Sequence, residues 1–108
     1  MKQRSKPISV ARSVRFHPAA EAQLFDLYAY IAADSGRGRA GEYIGRIETA
    51  CQRLADFPEM GRAADELGSG FRLLGFERRA AIVYRVVEEA VEILGVYYGG
   101  RDLAALGL

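Results

Sequence analysis

The chain has one cysteine and one histidine. A lone Cys51 cannot close an internal disulfide, and a reducing cytoplasm is the simple expectation. Cys51 and His17 lie 34 positions apart and cannot build a zinc site unaided. No apolar run approaches the roughly 20 residues that a membrane span needs. The N-terminus is basic but lacks the apolar core of a signal peptide. There is no P-loop and no Gly-x-Gly-x-x-Gly dinucleotide turn, so no cofactor is expected. Gly36-Arg37-Gly38 is not followed by Lys-Ser/Thr and reads as an interhelix turn. Lysine is nearly absent too. Lys2 and Lys6 are the only two, both in the N-terminal tail. Every cation in the rest of the chain is an arginine, a planar donor fork that stays charged near pH 7 and cannot serve as a base.

What is present fits one domain. With 108 residues, 50% of them hydrophobic and 27% charged, the chain can fill one core and little more. The net charge of +1 conceals an uneven distribution. Residues 1–17 carry five cations and no acid, residues 18–69 five cations against nine acids, and residues 70–108 five against five. Residues 1–12 are expected to be a flexible basic tail, and residues 13–108 a single folded domain.

Alternation of Val10, Arg12, Val14 and Phe16 predicts a strand, strongest at Ser13–Phe16. Pro18 suits the first turn of a helix, where its missing N–H is harmless, and His17 before it suits the cap. Ala20, Leu24, Leu27, Tyr28 and Ile31 then make one apolar stripe at three- and four-residue spacing. That helix should stop near Asp34–Ser35, with Gly36 as a left-handed cap. A second helix is expected from about Arg39 to Asp56, with Tyr43, Ile44, Ile47, Cys51 and Leu54 as its stripe and Glu42–Arg46 as an exposed i,i+4 pair. The short link makes the two helices an antiparallel hairpin. Pro58 disfavours helix at Phe57 and ends the second one. Residues 59–69 read as a polar loop.

Three strands follow, at about Phe71–Phe76, Ala80–Val87 and Val91–Tyr98, with Glu88-Glu89 as the last turn. The apolar run from Ile82 to Val87 suits a strand covered on both faces. The order β-α-α-β-β-β gives an α+β fold: an N-terminal strand, a two-helix hairpin and a three-stranded antiparallel sheet with one face partly open.

Arg72, Arg78, Arg79, Arg85 and Arg101 are spaced along this sheet. Antiparallel pairing could gather several into a surface that binds carboxylate or phosphate through bidentate hydrogen bonds. Arg101-Asp102 reads as a pair closing the last strand. Alternation sends one of Tyr97 and Tyr98 into the core and the other outward, where it could anchor a partner. RNA cleavage would need a base for the 2′-hydroxyl proton. No His or Lys lies on the strands, and Glu77, Glu88 or Tyr98 would have to serve. The residues thus argue against a nuclease and for binding.

Taken in this order, VRFHPAAEAQL, YIAADSGRGRAGEYIGRI, LADFPEMGR, GFRLLGFERRAAIVYRV and VEILGVYYGGRD resemble the RelE/ParE toxin superfamily of bacterial type II toxin–antitoxin modules. The likeness spans about residues 13–102. The helical hairpin, the FPEMGR loop and the lack of strand lysines are similar to the ParE-like branch. That resemblance implies a toxin that binds and poisons DNA gyrase without chemistry of its own. It implies neutralisation by a cognate, ParD-like antitoxin covering an apolar open face, and a hetero-oligomer that meets operator DNA through the antitoxin. Arg72, Arg79, Arg85, Tyr98 and Arg101 become the candidate target contacts. The RelE-like alternative is a ribosome-dependent messenger RNA endonuclease using Arg72, Arg85, Tyr98 and Arg101. Many relatives carry His where Tyr98 stands, which counts against that chemistry here. A non-toxic, antitoxin-binding member is the third reading.

Overall fold

The structure, a computed structural model, describes residues 12–108. The expected basic tail, apart from Arg12, lies outside the described residues. Five strands form one mixed sheet in the order β1-β5-β4-β3-β2. They are β1 (Ser13–Phe16), β2 (Arg62–Ala63), β3 (Arg72–Phe76), β4 (Ala80–Val87) and β5 (Ala90–Tyr98). β1 pairs parallel with β5, and the other pairings are antiparallel. The expected three-stranded sheet is thus extended at both edges. β1 joins it at one edge, parallel to β5, with the helices and the antiparallel strands between the two in sequence, the long connection that a parallel pair requires. β2 is a two-residue strand inside the expected polar loop, too short to show alternation in sequence.

Helix α1 (Pro18–Ser35) begins as expected: His17 Nδ1 accepts the Ala19 N–H at 3.1 Å. Its apolar stripe buries Ala20, Leu24 and Leu27. Helix α2 (Arg37–Arg53) starts earlier than its stripe suggests. Gly36 alone separates the two helices. At φ 95° it turns the chain, donates to Ala32 O at 2.9 Å and accepts the Ala40 N–H at 3.1 Å. Arg37 and Gly38 therefore belong to the first turn of α2 and not to a three-residue link. α2 also ends sooner, and Leu54–Asp56 continue as tighter i→i+3 turns.

The helices cover one sheet face. Leu24, Leu27, Ile47, Cys51 and Leu54 meet Ile82, Tyr84, Val91, Ile93 and Val96 in the main core. Truncating Ile47 or Leu54, both fully buried, to alanine should each cost about 2–5 kcal/mol. Between Val83 and Tyr84 the register with β5 slips, because β4 skips Leu94. That bulge lets Ile93 and Val96 face the same core and sends Leu94 to the far face.

The far face is less open than expected. Helix α3 (Gly99–Ala105) lies where a simple corner was expected. Leu103 and Leu106 pack with Leu73, Ala81, Val83, Ala64 and Tyr97 in a second, smaller core. β4 is buried from Ala80 to Tyr84, but Arg85 and Val86 are exposed. Cover on both faces thus holds only for the first half of that strand.

Candidate functional site

Tyr98 ends β5 opposite Ala80, at the end of the sheet nearest the β3–β4 turn. Alternation puts Tyr98 against the helix-side core and Tyr97 against the far-side core, and both are half-buried. Neither is the freely outward tyrosine that alternation alone suggested. The Tyr98 ring lies 6.3 Å from that of Tyr30 on α1 and 5.8 Å, edge-on, from that of Tyr43 on α2. Tyr43 in turn meets Phe76 edge-on at 5.7 Å. Such contacts add about 0.5–1.5 kcal/mol each beyond area burial and hold the rings in fixed relation.

The Arg46 guanidinium sits 5.2 Å from the centre of the Tyr43 ring and grips Glu77 through two hydrogen bonds of 2.9 and 3.0 Å. This ion pair ties α2 to the β3–β4 turn and replaces the expected Glu42–Arg46 pair. Glu77 and Arg78 hold φ of 50° and 64°, a region that side-chain-bearing residues seldom adopt. The turn they make carries Arg78 and Arg79 to the tip of the hairpin. Arg79 O accepts the Gly99 N–H at 2.9 Å, which joins the turn to the start of α3.

Three adjoining clefts meet at Tyr98. One, of about 550 Å³, is lined by Tyr30, Arg39, Tyr43, Arg46 and Arg79, among others. A second, of about 230 Å³, lies between Arg78, Arg79 and Leu103. A third, of about 680 Å³, runs along Gln23, Asp26 and Arg101. An aromatic wall with arginines on either side suits a protein surface carrying apolar and acidic groups.

The acid–base character of this end is weak near neutrality. Burial pushes the Tyr43 hydroxyl up to about 12, with Tyr98 and Glu77 adding to the effect. The hydrogen bonds from Arg46 hold Glu77 below the usual carboxylate range, so it is a poor proton acceptor. His17 caps α1 instead of lining these clefts. Burial also pushes the Cys51 thiol up to about 12, which leaves it an inert core group. No set of three or more His, Cys, Asp or Glu gathers as a metal-binding group among the described residues.

The five singled-out residues do not form one surface. Tyr98, Arg79 and Arg101 gather around the three clefts, with Arg78 beside them. Arg101 makes no ion pair with Asp102, whose carboxylate instead lies 3.4 Å from the Tyr98 N–H. Arg85 lies elsewhere, bound to Glu92 across the strands at 2.7 Å, with Arg15 on the same carboxylate at 3.4 Å. The two arginines, Arg85 foremost, pull Glu92 below its usual range. Arg72 is turned to the loop after α2, where its Nε donates to Gly61 O at 3.1 Å. Tyr30, Tyr43 and Arg46 were not foreseen as site residues. Tyr43 reads in sequence as part of a core stripe, and the Arg46–Glu77 pair spans 31 positions that no local pattern connects.

The ParE toxin family of the type II toxin–antitoxin system parDE matches residues 14–103. Toxin ParE1 of Mycobacterium tuberculosis is 30% identical over 87 residues, covering 80% of this chain and 88% of its own. Toxin ParE3 of Caulobacter vibrioides is 29% identical over 96 residues, covering 89% and 94%. Among solved structures, a chromosomal ParDE toxin–antitoxin system from P. aeruginosa superposes with a TM-score of 0.73 at 21% identity, over 83% of this chain and 98% of the other. The RelBE2 toxin–antitoxin complex of Mycobacterium tuberculosis does so at 0.59 and 23%, over 82% and 99%. The two superpositions support the fold, and the match over residues 14–103 carries the assignment: the chain belongs to the ParE toxin family of type II toxin–antitoxin systems.

Proposed function

We propose that this chain is a cytoplasmic toxin that arrests growth by binding and poisoning DNA gyrase, and that a cognate ParD-like antitoxin neutralises it. Tyr98, Arg79 and Arg101 are the target contacts. Arg85 contributes through its exposed guanidinium edge, and Arg72 acts from behind by shaping a loop. The toxin–antitoxin pair forms a hetero-oligomer that reaches operator DNA through the antitoxin.

The observation that supports binding over chemistry is the pairing around Tyr98. Cations and aromatic rings are in place, but Glu77 is tied to Arg46, Asp102 lies against the Tyr98 backbone N–H, and the Tyr43 hydroxyl stays protonated to about pH 12. General base catalysis works best with a group that titrates near the working pH. A ribosome-dependent endonuclease would have to draw its base from Tyr98 or from a carboxylate along the clefts, such as Asp26, Asp34, Glu42 or Asp102.

Induced expression separates the readings. Gyrase poisoning gives double-strand breaks and an SOS response, relieved by the antitoxin. Endonuclease action gives cleaved messages, and a non-toxic member gives neither. Tyr98→Phe keeps the ring and removes the proton, so its toxicity should stay within about threefold of the parent, since losing an acid–base group costs about 10²–10⁴ in rate. Loss of toxicity in a folded Tyr98→Phe chain would reject the binding reading.

A further inference from the structure

The loop that follows α2, Phe57-Pro58-Glu59-Met60-Gly61, is held from below with unusual completeness. The buried Tyr84 hydroxyl donates to Pro58 O at 2.7 Å and accepts the Gly61 N–H at 2.9 Å. Arg72 adds its fork, with Nε on Gly61 O at 3.1 Å and Nη2 on Glu59 O at 3.4 Å. The backbone closes the rest: the Phe57 N–H donates to Arg53 O at 3.0 Å and the Met60 N–H to Phe57 O at 3.1 Å. Gly61 is the only residue type that fits, because a Cβ there would lie 2.8 Å from both Leu73 O and the Tyr84 hydroxyl.

What this scaffold presents is apolar. Phe57 is 57% exposed and Met60 40%, on either side of a cleft of about 550 Å³. The flanking Asp56 and Glu59 make no ion pair among the described residues. Phe57 and Met60 belong to neither core cluster, and the backbone that carries them is fixed. They are a pre-organised contact surface, for which little ordering entropy remains to be lost on binding.

We propose that this loop is a docking knob for the antitoxin. Phe57 and Met60 enter an apolar groove on an antitoxin segment, whose flanking lysine or arginine side chains meet Asp56 and Glu59. The proposal rests on the antitoxin-neutralised reading above and names a contact for it. An exposed apolar knob is an aggregation hazard for a free chain. Its cover must therefore be the partner that accompanies the toxin, whereas the target is met only after release. The unpaired acids give the charge that this partner complements. Arg72 and Tyr84 are positioning residues, acting through the loop without touching the antitoxin.

The test is calorimetric titration of the full chain with its purified antitoxin. Phe57→Ala should weaken binding by about tenfold or more, as for a central apolar anchor, with the melting temperature unchanged because the side chain is exposed. Glu59→Lys should weaken it in a salt-dependent way. Tyr84→Phe should weaken it too and speed amide exchange at Gly61, a readout that a purely structural role elsewhere in the core would not move. Arg37→Gln, at the opposite end of α2 from the loop, serves as the control and should bind as the parent does. Unchanged affinity in both Phe57→Ala and Glu59→Lys would overturn the knob while leaving the toxin reading intact. Loss of gyrase inhibition by these variants with antitoxin affinity preserved would overturn the antitoxin as occupant. Failure of the unaltered chain to bind any antitoxin would overturn both the knob and the neutralisation it depends on.

Discussion

Tyr84 and Tyr43 stand on the same side of the sheet and pack into the same core, one on a strand and one on a helix. Both hydroxyl oxygens are shut off from solvent, yet their surroundings differ. The Tyr84 hydroxyl is fully used: it donates to Pro58 O and accepts from Gly61 N. The Tyr43 hydroxyl has no hydrogen-bond partner. A buried donor with a partner adds a little to stability, and one without a partner subtracts more. The two ends of this sheet are therefore built differently. The Tyr84 end is satisfied and fixes a loop. The Tyr43 end holds its shape by ring contacts and the Arg46–Glu77 pair, and it tolerates an unsatisfied polar group beside the clefts at Tyr98.

The sharpest way to break this contrast is Gly61→Ala. The added methyl meets backbone as well as the Tyr84 hydroxyl, so the loop must lift. The cost should be about 2–3 kcal/mol, read as a lowered urea midpoint at unchanged slope. Tyr84→Phe should cost less, about 1–2 kcal/mol, because packing is kept and only the two hydrogen bonds are lost. Tyr43→Phe should change stability by no more than about 0.5 kcal/mol, or raise it, since no bond is lost and an orphaned donor is removed. Equal losses at the two tyrosines would erase the distinction.

Alkaline pH gives a separate signal. Burial raises the folded Tyr43 pKa from 10.0 to about 12. The unfolded chain therefore releases this proton first, and stability falls as pH rises. The contribution is intact below pH 10 and disappears between there and about 12. Tyr43→Phe should flatten that part of the stability curve. Cys51, pushed up to about 12 by the same cause, adds a fall that starts lower, from 9.0, and Tyr43→Phe retains it.

Periodicity and punctuation made most of this fold legible. The stripes of α1 and α2, Pro18 at a helix start, Pro58 after a helix end and the three long strands could all be read locally, because each is set by neighbours within a few residues. Two elements could not. β2 is only two residues long and exists through its partner Arg72-Leu73. α3 begins with Gly99-Gly100, a pair that signals a turn, and is held by the far-side contacts of Leu103 and Leu106. The site was legible in kind and not in arrangement. An arginine-rich sheet end near Tyr98 could be expected, but strand pairing turned Arg72 toward a loop and placed Arg85 on Glu92. Tyr43 passed for core because its position on the helix is a core position, and only the fold shows that its hydroxyl lies beside Tyr98 and Glu77.

Binding without bond-breaking is tested most directly with the purified chain in two parallel reactions. One holds DNA gyrase, ATP and plasmid, the other translating ribosomes on a defined message. The account predicts gyrase-dependent accumulation of cleaved plasmid, suppressed by the antitoxin, and an intact message. A message cut at the ribosome while gyrase works unhindered would contradict it.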